Sequence, residues 1–455
     1  MLALLRTCAC LLLTVAWGLS LQRAGLVDVS DDVGVSGEVD VSDEVDADNV
    51  TVSGPAEKIQ QIHRRMADAP EDLHVQLDGC EALDELADIR RGGPGPWGGR
   101  RVDTEWLKAG IGEAYAQGLL NAVAAERALG HSEPGPASQT CFHSIGGLSV
   151  QNSFDKGLAL INHAPHLWQA ILSMFRAFRR SELVRDNLCV LADLFGTPQP
   201  RLAAELEVKA GGIDFAMQYL EDESIKSDPE MFQRVYCALS DPVHEASGAA
   251  ARAIANYKGH LQGIPMMVRS LRWAKESGST FHEGNGFGLL YEGVHVVGGV
   301  MEHDDGNKTF AKAFVQAGLV DELVPIMREE PGDRQLQDMS CEAIKWITDD
   351  SVAVQEQLVQ MGAMDLMAEA LKRHSHPPQP GYGAVTVACS TALLNFASSS
   401  AAWREQLRNL GVADTLDWTV LLAFPRSLST DFEPRKRWFP NSNIHTLKEM
   451  LEGSA

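Results

Sequence analysis

The sequence predicts an all-α solenoid, one helical unit repeated along the chain, and three observations carry that expectation. First, six cysteines beyond residue 21 recur with a period. Forty-eight residues separate Cys141 from Cys189, Cys189 from Cys237 and Cys341 from Cys389, and the 104 from Cys237 to Cys341 is close to two such steps. Self-similarity at a fixed period of this order marks a helical repeat array. Second, a glycine motif follows most of these cysteines at roughly 21 to 26 residues. Third, 45% of the 455 residues are hydrophobic but only 7% are aromatic, and Ala, Leu, Glu and Met are plentiful. That is the composition of a folded chain rich in helix formers.

Taken in order, the chain opens on a leader-like segment. Met1 to Leu21 carries one early charge, Arg6, then the apolar run Cys8 to Trp17, then small residues at Ala16, Gly18 and Ser20. This is the pattern of a targeting signal, expected over residues 1–20. The run falls short of the roughly 20 apolar residues a membrane span needs, and no later stretch supplies them, so no span is expected in the mature chain. Residues 21–57 are expected to be a disordered acidic spacer. Val27 to Gly54 places Asp, Glu, Ser or Gly at almost every second position, which leaves little apolar area and much self-repulsion. Its carboxylates lack the spacing of a calcium loop. Asn49 and Asn307 each head an Asn-X-Thr glycosylation sequon, relevant if the chain enters the secretory lumen.

The repeat region is expected over 58–424. After three cysteines the apolar pattern recurs at helical spacing: Cys80-Glu-Ala-Leu-Asp-Glu-Leu-Ala, Cys341-Glu-Ala-Ile-Lys-Trp-Ile-Thr and Cys389-Ser-Thr-Ala-Leu-Leu-Asn-Phe-Ala. The glycine motif reads Ala210-Gly-Gly-Ile-Asp214, Ala317-Gly-Leu-Val-Asp321, Met361-Gly-Ala-Met-Asp365 and Leu410-Gly-Val-Ala-Asp414. Glycine allows the sharp turn that ends one helix, and Asp complements the dipole at the start of the next. A fifth copy, Gly263-Ile-Pro265, puts Pro where the others have Asp, and Pro at a helix start loses no needed hydrogen bond. Arg90 to Arg101 reads as a flexible insert that explains the longer 61-residue step from Cys80 to Cys141. Residues 425–455, with the basic-aromatic run Arg435 to Phe439, read as a tail or imperfect cap.

These residues resemble the armadillo repeat. The resemblance spans roughly Glu57 to Leu422, is densest from Gly318 onward, and implies an armadillo-like right-handed superhelix of about seven to eight repeats. In that family a short helix leads through a glycine turn into a second helix, and a longer third helix lines a concave groove. Stacking is required because one unit cannot bury its apolar face alone.

The cysteines are expected to be free thiols. Stacked helices pack 8–10 Å apart, and a disulfide needs Cα atoms within about 7 Å. Six free thiols suggest a reducing compartment, whereas the leader suggests the secretory pathway or a leader-routed organelle. The compartment therefore stays open on the sequence alone.

Importin-α-like members of the family hold an extended peptide with Asn, and a nearby Trp, on the third helix. The resemblance places Glu85, Asp193, Asp241, Trp346 and Asn395 near that position. Only Asn395 keeps the Asn, which argues against nuclear-import cargo and for an acidic groove that prefers a basic peptide or domain. With 39 basic against 62 acidic residues and a net charge of −23, nucleic acid is not the expected partner. His163 with His166, and His374 with His376, lack further ligands at helical spacing, so no metal is expected. Gly284 to Leu290 is Gly-rich without the Lys-Ser/Thr of a phosphate loop, and no Ser sits in a GxSxG elbow, so no cofactor or catalytic residue is expected. The function expected is a non-catalytic protein-interaction scaffold. The alternatives are an enzyme with its site in the irregular stretch 258–299, or a regulatory module for a GTPase or kinase.

Overall fold

The structure, a computed structural model, describes residues 54–86, 104–148, 159–160, 162–188, 200–222, 228–245, 248–277, 289–304, 306, 308–349, 351–374, 383–416 and 440–453. Every regular element among them is a helix. Pro55–Asp68 (α1) and Leu73–Leu86 (α2) come first. Thr104–Lys108 (α3), Ile111–Ala128 (α4) and Pro136–Gly147 (α5) form a triplet, and Leu167–Ala177 (α6) and Glu182–Asn187 (α7) follow. Further triplets are Pro200–Ala210 (α8), Gly212–Glu221 (α9) and Pro229–Glu245 (α10), then Ala249–Ala255 (α11), Gly263–Glu276 (α12) and Leu289–Glu302 (α13). Thr309–Gln316 (α14), Leu319–Glu329 (α15) and Arg334–Thr348 (α16) precede Val352–Gln360 (α17), Ala363–His374 (α18) and Gly383–Ser399 (α19). The last group is Ala401–Asn409 (α20), Val412–Thr415 (α21) and Pro440–Glu452 (α22).

Contacts run between neighbouring groups. The third helices α10, α13, α16, α19 and α22 each pack on the next, and the second helices α9, α12, α15, α18 and α21 do the same. One buried apolar cluster extends from Ile59 to Leu451 without a central focus. The chain is an armadillo-like α-solenoid: each unit covers the apolar face of the one before it.

Local chemistry explains the recurrence. Gly211, Gly318, Gly362 and Gly411 hold φ of 86°, 90°, 83° and 68°, the left-handed turn between first and second helix. Gly110, at φ 90°, makes the same turn before α4, a copy the sequence motif did not include. The fifth copy differs. Gly263 is the first residue of α12, and the left-handed positions move to Lys258 and Leu261. Glycine is needed at 263 for another reason: a Cβ there would lie 1.7 Å from the Ile254 carbonyl oxygen. Three of the third helices begin on acidic caps. Asp72 accepts from the Val75 N–H, Asp228 from Met231 and Asp333 from Leu336. Two glutamines brace the turn before the third helix in the same way. Gln76 Nε2 donates to the carbonyls of Met66 and Ala69, and Gln337 Nε2 to those of Met327 and Glu330. Two arginines bind one unit to the next: Arg176 donates to the carbonyls of Ala210 and Gly211, and Arg328 to that of Met361.

The free-thiol expectation is overturned. Cys80 is bonded to Cys141 and Cys341 to Cys389, with Cα separations of 5.3 and 4.8 Å, and Cys237 is also disulfide-bonded. Each resolved bond joins the third helices of adjacent units, α2 to α5 and α16 to α19. The 8–10 Å spacing of packed helices is a distance between axes. Two Cα atoms that face each other across the interface, each on a cylinder of radius about 2.3 Å, are closer by about 4.6 Å. The buried residues near the second bond in sequence are small: Ser340 and Ala343 on α16, and Ala388, Ser390 and Ala392 on α19. Beside the first, a Cβ on Gly118 would lie 2.9 Å from Cys80 Sγ.

Candidate functional site

The consecutive third helices form one layer, and the richest side-chain grouping on it belongs to α16. Asp338, Glu342, Lys345 and Trp346 follow at helical spacing and share one face of that helix. Burial pushes the Asp338 carboxyl up to about 7, and the negative charge of Glu342 adds to the rise against the pull of Arg334 and Lys345. Lys345 pairs with Glu342, and its Nζ stands 4.3 Å from the centre of the Trp346 ring. Trp346 Nε1 is buried and has no hydrogen-bond partner. On the preceding third helix, Tyr291 stacks on His295 and His295 stacks on His244 of α10, with ring centroids 5.3 and 3.8 Å apart.

The expected groove residues are not gathered in one place. Trp346 and Asn395 sit on adjacent third helices, α16 and α19, while Glu85 is exposed on α2 at the other end of the stack. Asp241 falls in α10, and its side chain lies outside the described part of the structure; Asp193, Asn49 and Asn307 lie outside the described residues altogether. Asn395 is turned inward. Its Nδ2 donates to the Lys345 carbonyl oxygen at 3.1 Å and to Thr348 Oγ1 at 3.0 Å, which fastens α19 to the end of α16.

Asp338, Glu342 and Lys345 were not among the residues singled out from the sequence. The signal was present: counted back from Trp346 by four and eight, Glu342 and Asp338 fall on one helical stripe. Glu342 and Lys345 stand in the run after Cys341 and Asp338 three residues before it, and residue type alone does not separate such a stripe from a solvated helix face.

A cavity of about 510 Å³ lies where α14, the end of α16 and the start of α17 meet, lined by Lys308, Lys312, Val315, Trp346, Asp349 and Val354 among others. Lys308 and Asp349 form an ion pair of 2.7 Å at its rim. None of the described residues of 258–299 lines it. Of the histidines considered as ligands, His166 pairs with Glu113 and His374 Nε2 contacts the Pro331 carbonyl oxygen at 3.1 Å. Among the described residues no group of three or more His, Cys, Asp or Glu could hold a metal ion, and no helix is long and apolar enough to cross a membrane.

No protein-family model matches the chain, and no curated protein matches it in sequence. Solved structures similar to it include engineered proteins and designed armadillo repeat proteins. One engineered protein matches with a TM-score of 0.44 and 15% identity, over 63% of this chain and 98% of its own. Another matches with 0.42 and 15% over 87% and 98%. A designed armadillo repeat protein, solved in complex with a peptide of four Lys-Arg pairs, matches with 0.41 and 14% over 63% and 98%. The fold assignment rests on the helix order and packing described above.

Proposed function

We propose that the protein is a non-catalytic interaction scaffold that holds an extended, basic segment of a partner protein against its third-helix layer, with the α16 face as the principal contact. The observation that carries this reading is the carboxylate pair Asp338 and Glu342 beside the Trp346 ring. A partially buried pair of carboxylates is costly to keep charged, and a partner's Lys or Arg relieves that cost. The Trp346 face offers the same cation a second contact. Lys345 already makes both contacts, an ion pair to Glu342 and a stack on Trp346, and so acts as the placeholder that a partner's cation displaces. An aliphatic or acidic segment would gain neither. The net charge of −23 favours encounter with basic partners over the whole surface.

The test is binding of a fluorescent octapeptide of alternating Lys and Arg, measured by anisotropy at low salt. Asp338→Asn with Glu342→Gln should weaken binding at least tenfold, and Lys345→Ala should strengthen it. Unchanged affinity in the double variant would overturn the assignment of the contact to α16. A partner gripped chiefly through Glu85 would instead lose affinity on Glu85→Gln.

A further inference from the structure

We infer that this protein is a product of thiol–disulfide exchange in an oxidising compartment, luminal or extracellular, and that its third helices are cross-linked as they dock. Three structural observations lead there. The first is pairing. Cys80 with Cys141 and Cys341 with Cys389 bridge the same kind of joint at opposite ends of the stack, between one third helix and the next. Cys237, on a third helix between them, is bonded as well. A reducing cytosol does not sustain a ladder of this kind in ordinary proteins.

The second observation is burial. Cys80, Cys141, Cys341 and Cys389 are all fully buried. Gly118 of α4 closes over the first bond so tightly that a Cβ would sit 2.9 Å from one sulfur and 3.3 Å from the other. No oxidant reaches these sulfurs in the finished solenoid, so exchange precedes the sealing of the joint. Each closure takes two protons and two electrons from a pair of thiols. The electrons pass to an oxidant of the disulfide class, which leaves as a dithiol.

The third is the surroundings of the second bond. Ser340 of α16 and Ser390 of α19, each next in sequence to a bonded cysteine, are buried with no hydrogen-bond partner for either hydroxyl. Burying two unpaired hydroxyls beside the bonded residues is unfavourable, and a covalent bond between the two helices offsets that cost. The leader-like run Met1 to Leu21 is the feature of the chain that would deliver it to such a compartment, and the scaffold's partners are then proteins of that compartment.

The full chain produced in a secretion-competent eukaryotic cell tests this. Thiols are trapped with iodoacetamide under denaturing conditions, and the chain is digested without reduction and read by mass spectrometry. Cys80–Cys141 and Cys341–Cys389 peptides should be recovered linked, with less than a tenth of each cysteine alkylated. Alkylation of these four cysteines in most molecules, or linkage in other pairs, overturns the inference. A second arm retains the chain in the cytosol by deleting residues 2–21. That form should carry free thiols and melt at a lower temperature; an equally stable reduced form would overturn the coupling of oxidation to docking.

Discussion

The imidazoles of His244 and His295 lie face to face, ring centroids 3.8 Å apart and 16° from parallel, across the joint between α10 and α13. His244 Nε2 also reaches the His295 carbonyl oxygen at 3.2 Å. Burial, and secondarily the neighbouring His244, pushes the His295 imidazole down to about 3. Its Nδ1 is buried with no hydrogen-bond partner. His295 is therefore packed as a neutral ring.

A pH dependence follows with a definite sign. The unfolded chain takes up a proton at His295 near its ordinary value of 6.5, and the folded chain refuses it until about pH 3. Between those values the unfolded state binds more protons, so stability falls as pH is lowered, by at most about 1.4 kcal/mol per pH unit for this one group. Urea denaturation at pH 7, 6, 5 and 4 should show that loss, and His295→Phe should make the decline visibly shallower. An identical slope in the variant would mean that the stacked pair does not govern the acid limb.

The cross-links carry a stability prediction of their own. Cys341→Ala with Cys389→Ala opens a loop of 48 residues and should cost about 2–4 kcal/mol in chemical denaturation. Because a solenoid is held by nearest-neighbour contacts, the loss should centre on α16–α19 and leave hydrogen exchange in α4 and α5 unchanged. A uniform loss of protection along the whole chain would contradict a stack of locally coupled units.

Much of this architecture was legible in the residues. Gly211, Gly318, Gly362 and Gly411 announced the turn between first and second helices because only glycine takes that backbone shape cheaply, and each one holds it. The 48-residue cysteine step marked the period of the stack. The same step conceals the pairing, because the spacing of helix axes exceeds that of facing Cα atoms by the radii of both helices. Asn395 shows a different gap. Residue type alone does not say which way a polar side chain turns, and here its amide is spent on Lys345 and Thr348. The break near Gly263 was visible as an irregularity, but its cause, the close approach to the Ile254 carbonyl, is a tertiary contact.

Asn395 yields a prediction that separates bracing from binding. Asn395→Ala removes two hydrogen bonds that join α19 to α16, and should lower stability by about 1–3 kcal/mol. Affinity for the Lys-Arg octapeptide should change less than twofold at a temperature where the variant stays folded. A large loss of affinity with little loss of stability would return Asn395 to the role of a direct peptide contact.

Gln337 is a sharper case, because it braces without facing any partner. Its amide donates to two carbonyls at the end of α15, both at 2.9 Å, in a buried position. Gln337→Leu keeps much of the volume but strands two acceptors, and should cost about 1–3 kcal/mol each where water cannot reach them. Gln76→Leu should behave in kind at the other end of the stack, where the same two bonds recur. Denaturation midpoints for the two variants check this, and a neutral result at both sites would show that these carbonyls find other donors.

Asp338 ties stability to binding. Its carboxyl titrates near pH 7 in the folded chain against an ordinary value of 3.8, so the folded state holds a proton that the unfolded state has released. Here the sign is opposite to that of His295: this group's contribution to stability is lost as pH rises from about 4 through 7. Asp338→Asn should therefore stabilise the protein at pH 8 and do little at pH 4. A partner cation beside Glu342 favours the charged form, so affinity for the basic octapeptide should rise between pH 6 and pH 8, by roughly fivefold if the added ion pair is worth about 1 kcal/mol. The asparagine variant should bind with no such rise. If the native protein also bound with the same affinity at both values, Asp338 would not lie at the contact, and the pair with Glu342 would be a feature of the helix alone.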